Sequence, residues 1–104
     1  MCLTSRVQSM LEAVVNPRRR EILRLVWEQE LTAGEIAAHF DVSWPAISQG
    51  LGVLRKAGLV VERRDATRRY YRADRAAAGS LASVLEEMWT RDLDRLRRVV
   101  EEEP

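Results

Sequence analysis

Residues Thr32 to Gly58 read TAGEIAAHFDVSWPAISQGLGVLRKAG, two short helical patterns joined by a tight turn. Thr32 with Glu35 three residues on is the signature of a capping box, which starts the first helix. Ile36, Ala37 and Phe40 give that helix its apolar face, and Asp41-Val42-Ser43 makes the turn. Ser43 is a natural cap for the second helix, and Pro45 falls in its first turn, where a missing N–H does no harm. Ile47, Leu51 and Leu54 recur at i, i+4 and i+7 as an inward stripe. Ser48, Gln49, Arg55 and Lys56 are left facing elsewhere. A buried stripe backing short hydrogen-bonding side chains suits a helix laid in a DNA groove.

The segment that follows extends this pattern. Leu59-Val60-Val61-Glu62-Arg63 reads as a strand and Arg69-Tyr70-Tyr71-Arg72 as its hairpin partner, with Arg64, Asp65, Ala66, Thr67 and Arg68 as the loop. Of Tyr70 and Tyr71, neighbours on a strand, one is expected in the core and one outward. Helix, turn, helix and a hairpin with a basic tip is the plan of a winged helix-turn-helix. Positions 55, 56, 63, 64, 68, 69 and 72 are Lys or Arg, against only Glu62 and Asp65. The formal net charge of +1 hides this asymmetry. Residues 17–72 carry eleven basic and seven acidic side chains, and residues 73–104 carry five and eight. A basic half and an acidic tail imply one face for nucleic acid and another turned away from it.

At 104 residues the chain is expected to form one domain with a modest core. Cys2 is the only cysteine, so no intrachain disulfide can form, which fits a reducing cytosol. No apolar run approaches the roughly 18 residues of a spanning helix. No basic segment followed by an apolar core opens the chain, so a signal peptide is not expected. An enzyme has little support: Gly50-Leu-Gly52 lies inside a helix and is no phosphate loop, and a single histidine, His39, makes no Ser-His-Asp set plausible.

The terminal segments read as helices built for a partner. Thr4 to Val15 places Val7, Met10, Leu11 and Val14 on one face. Asn16-Pro17 then caps and starts a second helix, with Ile22, Leu23, Val26 and Trp27 as an apolar patch. Residues 76–101 read as one long final helix with Leu81, Val84, Leu85, Met88, Trp89, Leu93, Leu96 and Val100 along it. A domain this small has too little surface to cover both stripes, and a symmetric dimer is the usual solution. The alternative is that these helices fold back on their own subunit.

On NPRRREIL (16–23), LTAGEIAAHFDVSWPAISQGLGVLRKAGLV (31–60) and RRDATRRYYRAD (63–74), the chain resembles ArsR/SmtB-type bacterial transcriptional repressors over nearly its whole length. The block SWPAISQGLGVLRKAGLV is similar to the family's Ser-x-Pro-Ala-x-Ser-x-His-Leu recognition helix. Gly50 stands where many members carry His, and Gly52 follows; each glycine costs a helix roughly 1 kcal/mol relative to alanine. Either the helix is softened or Gly50 admits a close approach. Many members sense metals through cysteines at the start of the first helix of the pair, or through Asp and His pairs on the final helix. LTAGEI holds no cysteine, and the final helix offers Glu86, Glu87, Asp92 and Asp94 without a histidine. No metal site and no cofactor are therefore expected. MWTRDLDRL is reminiscent of metal-free autorepressors.

The resemblance implies a mainly α (α+β) winged helix-turn-helix of five helices and a β-hairpin wing. It spans 1–104, with a DNA-binding core at 17–74 and dimerisation helices at 1–16 and 76–101. The expected DNA contacts are Ser43, Trp44, Pro45, Ala46, Ser48, Gln49, Arg55, Lys56, Arg64, Thr67, Arg68 and Arg69. Gln49 can pair bidentately with adenine, while Arg64, Arg68 and Arg69 either track phosphate or minor groove or form a merely solvated loop. Ser43, Ser48 and Gln49 have the alternative of capping or solvating the helix. Trp44 either touches a thymine methyl or a sugar, or folds over the helix start. Arg18, Arg19 and Arg20 are either phosphate contacts or outer-face arginines. The expected dimer contacts are Val7, Met10, Leu11, Val14, Leu81, Leu85, Met88, Trp89 and Leu96. The function so implied is a cytoplasmic, homodimeric repressor on an inverted-repeat operator in double-stranded DNA. The alternatives are a winged-helix module that binds protein, and a metal- or redox-responsive sensor.

Overall fold

The computed structural model describes the backbone of residues 2–102 and the side chains of residues 5–91. In chain order the elements are α1 (Cys2–Val15), α2 (Pro17–Leu25), β1 (Leu31–Thr32), α3 (Ala33–Ala37), α4 (Trp44–Lys56), β2 (Val60–Asp65), β3 (Arg68–Ala73), α5 (Arg75–Ala78) and α6 (Ser80–Glu102). The molecule is mostly helical, with a small antiparallel sheet in the order β1-β3-β2.

The junction of α1 and α2 follows from three residues. Asn16 is extended, and its side-chain oxygen accepts the Arg19 N–H at 3.1 Å, while Pro17 occupies the start of α2. Arg19 then donates to the carbonyls of Glu12 (3.1 Å) and Ala13 (2.7 Å), and Arg20 to those of Val14 (3.0 Å) and Val15 (3.1 Å). These four carbonyls end α1 and have no partner within the helix. Arg19 and Arg20 thus tie α1 to α2. Arg18 is exposed.

Thr32 caps α3 as expected: its Oγ1 accepts the Glu35 N–H at 3.1 Å, and Glu35 Oε1 accepts the Thr32 N–H at 2.9 Å. Helix α3 is shorter than its apolar pattern, and Phe40 lies beyond it, half-buried against the core. Helix α4 buries Ile47, Leu51 and Leu54. It ends where Gly58 takes φ 85°, with the Gly58 N–H on the Arg55 carbonyl and the Leu59 N–H on the Leu54 carbonyl, both at 3.0 Å. Leu54 and Leu59, both fully buried, close this Schellman end and send the chain into β2.

Several expectations are corrected. The hairpin loop is two residues, not five: Asp65 pairs with Arg68, so Arg64, Arg68 and Arg69 lie on strands and only Ala66 and Thr67 turn. Strand β1, absent from the sequence reading, adds Leu31 opposite Tyr71 and Thr32 opposite Tyr70. The final helix is two helices, making six helical segments among the described residues. The Asp74 side chain caps α5, and Gly79 (φ 57°) breaks the chain before α6. Ser43 occupies the N-cap position of α4 but its side chain makes no capping hydrogen bond.

One core runs from α1 to α6. Met10, Ala13 and Val14 join Ile22, Leu23, Val26 and Trp27, then Ile36, the α4 stripe, Leu59, Val60, Tyr71 and Leu85. Met10, Val14 and Leu85 were expected at a dimer contact, yet they are buried within the chain because α1 and α6 pack onto it with their inner faces. Leu81, Met88 and Trp89 are half-buried against the same core. Val7, Leu11, Val15 and Val84 are exposed. The side chains of Leu93, Leu96, Val100 and Cys2 lie outside the described residues.

Candidate nucleic-acid interface

Burying Ile47, Leu51 and Leu54 turns the opposite face of α4 outward. Ser43, Trp44, Pro45, Ser48, Gln49, Arg55 and Lys56 are exposed, and Ala46 is partly so. Trp44 is 51% exposed at the start of α4. The Ser43 hydroxyl, not spent on a cap, faces solvent beside it. Gly50 points the other way. A Cβ there would lie 3.0 Å from Ile22 Cδ1 and 3.6 Å from Arg19 Cγ, so the missing side chain is what lets α2 and α4 approach. No contact on the outer face of α4 is lost by the absence of a histidine at this buried position.

The β2–β3 register sorts the wing arginines by face. Side chains alternate along a strand, and Glu62 pairs with Tyr71 while Arg64 pairs with Arg69. Those four share the face whose Tyr71 is buried in the core. Arg63, Arg68, Tyr70 and Arg72 take the other face. Tyr71 is therefore the core tyrosine. Tyr70 is half-buried, with the Arg63 guanidinium 4.5 Å from its ring centroid. Arg64 and Arg69 thus stand on the helix side of the wing, and Arg68 on the far side. Thr67 is exposed at the turn.

Charge is organised around two carboxylates. Glu62 receives Arg55 from the last turn of α4 at 2.6 Å, Arg64 at 3.4 Å and Arg69 at 3.7 Å. Arg63 reaches Glu30, before β1, at 2.6 and 3.0 Å. The hydrogen bond from Arg63 holds the Glu30 carboxyl below its usual range, and the same bond raises Arg63. Among the described residues, Lys56, Arg68 and Arg72 make no ion pair. Sequence reasoning counted Glu62 and Glu30 only as offsets to a basic segment. Alternation along β2 links Glu62 to Arg64, but finding Arg55 and Arg69 needs the two-residue turn and the path from α4 into β2.

Helix α6 meets this unit through Trp27, just beyond the end of α2. Trp27 and Trp89 pack edge to face with centroids 5.1 Å apart, and Trp27 Nε1–H donates to Glu86 at 3.2 Å. His39 is exposed just beyond α3. Among the described residues, no group of three His, Cys, Asp or Glu side chains is arranged to hold a metal ion. No described helix is long and apolar enough to cross a membrane.

Comparison with known proteins places this geometry among regulators. Residues 16–61 match the family described as bacterial regulatory protein, arsR family. An HTH-type transcriptional regulator of Mycobacterium tuberculosis is 36% identical over 92 residues, covering 88% of this chain and 86% of that protein. The transcriptional repressor SdpR of Bacillus subtilis is 37% identical over 65 residues, 62% of this chain and 72% of SdpR. The crystal structure of the transcriptional repressor BigR from Xylella fastidiosa superposes with a TM-score of 0.70 at 30% identity, covering 84% of this chain and 86% of that one.

Proposed function

The chain belongs to the arsR family of bacterial regulatory proteins and is a DNA-binding transcriptional regulator, and we propose that it acts as a homodimeric repressor. In this reading each subunit lays α4 in the major groove of one half of an inverted repeat. Ser43, Trp44, Pro45, Ala46, Ser48 and Gln49 face base edges and sugars. Arg55, Lys56, Arg64, Thr67, Arg68 and Arg69 meet the flanking backbone. The protein works in the cytoplasm, catalyses nothing and uses no metal. Its bound dimer excludes the transcription machinery from the site it covers.

The observation that carries this reading is the outward face of α4 standing beside Arg55, Arg64 and Arg69 on one side of the molecule. Short polar groups able to read bases are flanked by cations able to hold phosphates. The test is selection: the purified protein is mixed with a random-sequence duplex pool, and the retained DNA is sequenced and footprinted. Two half-sites about 10 base pairs apart, or a multiple of that, are expected. A single unrepeated half-site overturns the dimer, and retention without sequence preference overturns the recognition helix.

A further inference from the structure

We propose that Glu62 is a positioning residue for DNA recognition: it locks the recognition helix to the wing and lowers attraction for non-cognate DNA. The proposal rests on the reading of α4 and the wing given above. Three arginines from α4, β2 and β3 converge on this one carboxylate, Arg55 at 2.6 Å, Arg64 at 3.4 Å and Arg69 at 3.7 Å. The Glu62 side chain is only 11% exposed, whereas those of Arg55, Arg64 and Arg69 are 56%, 68% and 56% exposed. The carboxylate thus stands behind, and the arginine side chains stand in front, each more than half exposed. Arg64 and Arg69 are direct cross-strand partners, an arrangement of like charges that disfavours the hairpin unless something neutralises it. Glu62 does so and recruits Arg55 to the same point.

Two consequences follow from that geometry. The cluster carries one positive charge fewer than its arginines alone, which weakens the sequence-independent pull on phosphates. Its guanidiniums are also fixed relative to Ser48 and Gln49, so phosphates along the backbone are met together only when α4 sits in one register in the groove. Removing the carboxylate should therefore strengthen binding to any duplex and blunt the preference for the right one.

The experiment compares Glu62→Gln with wild type on a random-sequence duplex and on the duplex that wild type enriches from a random pool, at about 50 and 200 mM salt. The variant is expected to bind the random duplex about three- to tenfold more tightly, with a steeper salt slope. The preference for the enriched duplex is expected to fall threefold or more. A preference that rises, or falls by less than threefold, overturns the proposal, whichever way both affinities move. If Glu62→Gln fails to fold, Glu62→Asp keeps the charge but is one methylene too short to hold Arg55 and the wing together. It is expected to leave the random duplex within twofold of wild type and to weaken the enriched one threefold or more; an unchanged enriched-duplex affinity overturns the proposal. Wild-type binding that ignores salt would instead remove the wing reading itself, and this proposal with it.

Discussion

Gln49 is free to reach a base edge because Ile47, Leu51 and Leu54 absorb the other side of α4. Gln49→Ala is accordingly expected to cost about 1–3 kcal/mol on the selected operator and almost nothing on random DNA. Titrating both duplexes at one salt concentration checks this; equal losses on the two would show that Gln49 adds only general affinity. Ala66 belongs to the residue scale for a different reason. It has φ 58° in the hairpin turn, a region where a Cβ crowds the following carbonyl at roughly 1–2 kcal/mol. Ala66→Gly removes that crowding and is expected to raise the thermal midpoint by a few degrees. A midpoint below wild type would mean that glycine's extra freedom in the unfolded chain outweighs the relief. Neither residue announces its role in the sequence. Gln49 is visible only through the stripe it does not belong to. Ala66 sits where a two-residue turn usually carries glycine or asparagine, so the sequence does not mark a turn this short.

At the scale of elements, legibility tracks how local the cause is. The Thr32–Glu35 box, the Asn16-Pro17 start and the α4 stripe are each fixed by residues within a few positions, and all stand in the structure as read. Strand β1 is two residues long and exists only through pairing with Tyr70 and Tyr71, far along the chain. Gly79 is one glycine in an otherwise strong helical run, and a lone glycine in such a run does not by itself mark the break that its positive φ makes. Spacing puts the apolar residues of α1 on one face, but in the structure they divide in two. Met10 and Val14 turn inward, while Val7, Leu11 and Val15, at i, i+4 and i+8, turn out. The capping box also yields a pH signature. Hydrogen bonds from the Thr32 backbone N–H first, and its hydroxyl second, lower the Glu35 pKa from its ordinary 4.5. A carboxyl lowered on folding stabilises the fold above its unfolded pKa and loses that contribution as pH falls through the folded value. Glu35→Gln should therefore be less stable than wild type near neutrality and converge on it below about pH 4.5, as followed by chemical denaturation across that range. A gap between the two proteins that stays constant with pH would remove the ionised box from the account.

For the whole molecule the open question is what covers the outer faces of α1 and α6. Val7, Leu11 and Val15 on α1, with Val84 on α6, are 54%, 49%, 72% and 61% exposed. Isolated apolar residues on a surface are ordinary, but a stripe at helical spacing on one helix, with a further residue on another, is what a symmetric contact buries. The inner faces of the same helices are already spent on the core, through Met10, Val14 and Leu85, and Trp27 with Glu86 fastens α6 to the segment after α2. A dimer formed through the outer faces would hold two recognition helices in fixed relation, because α1 packs on α2 and α4 around the one core. The pair Leu11→Glu and Val84→Glu leaves the core and the DNA-facing side untouched. It is expected to sediment as a folded monomer at concentrations where wild type is a dimer. Bound to DNA, such a monomer presents one basic wing instead of two, so its slope of log affinity against log salt should be about half that of wild type. Its operator affinity should fall far more than its affinity for random DNA, because the second half-site is no longer reached from a partner already bound. Unchanged sedimentation in the double variant would place the contact elsewhere. A monomeric variant that keeps the full salt slope would mean that one subunit alone supplies the phosphate contacts, and that the two wings do not act together.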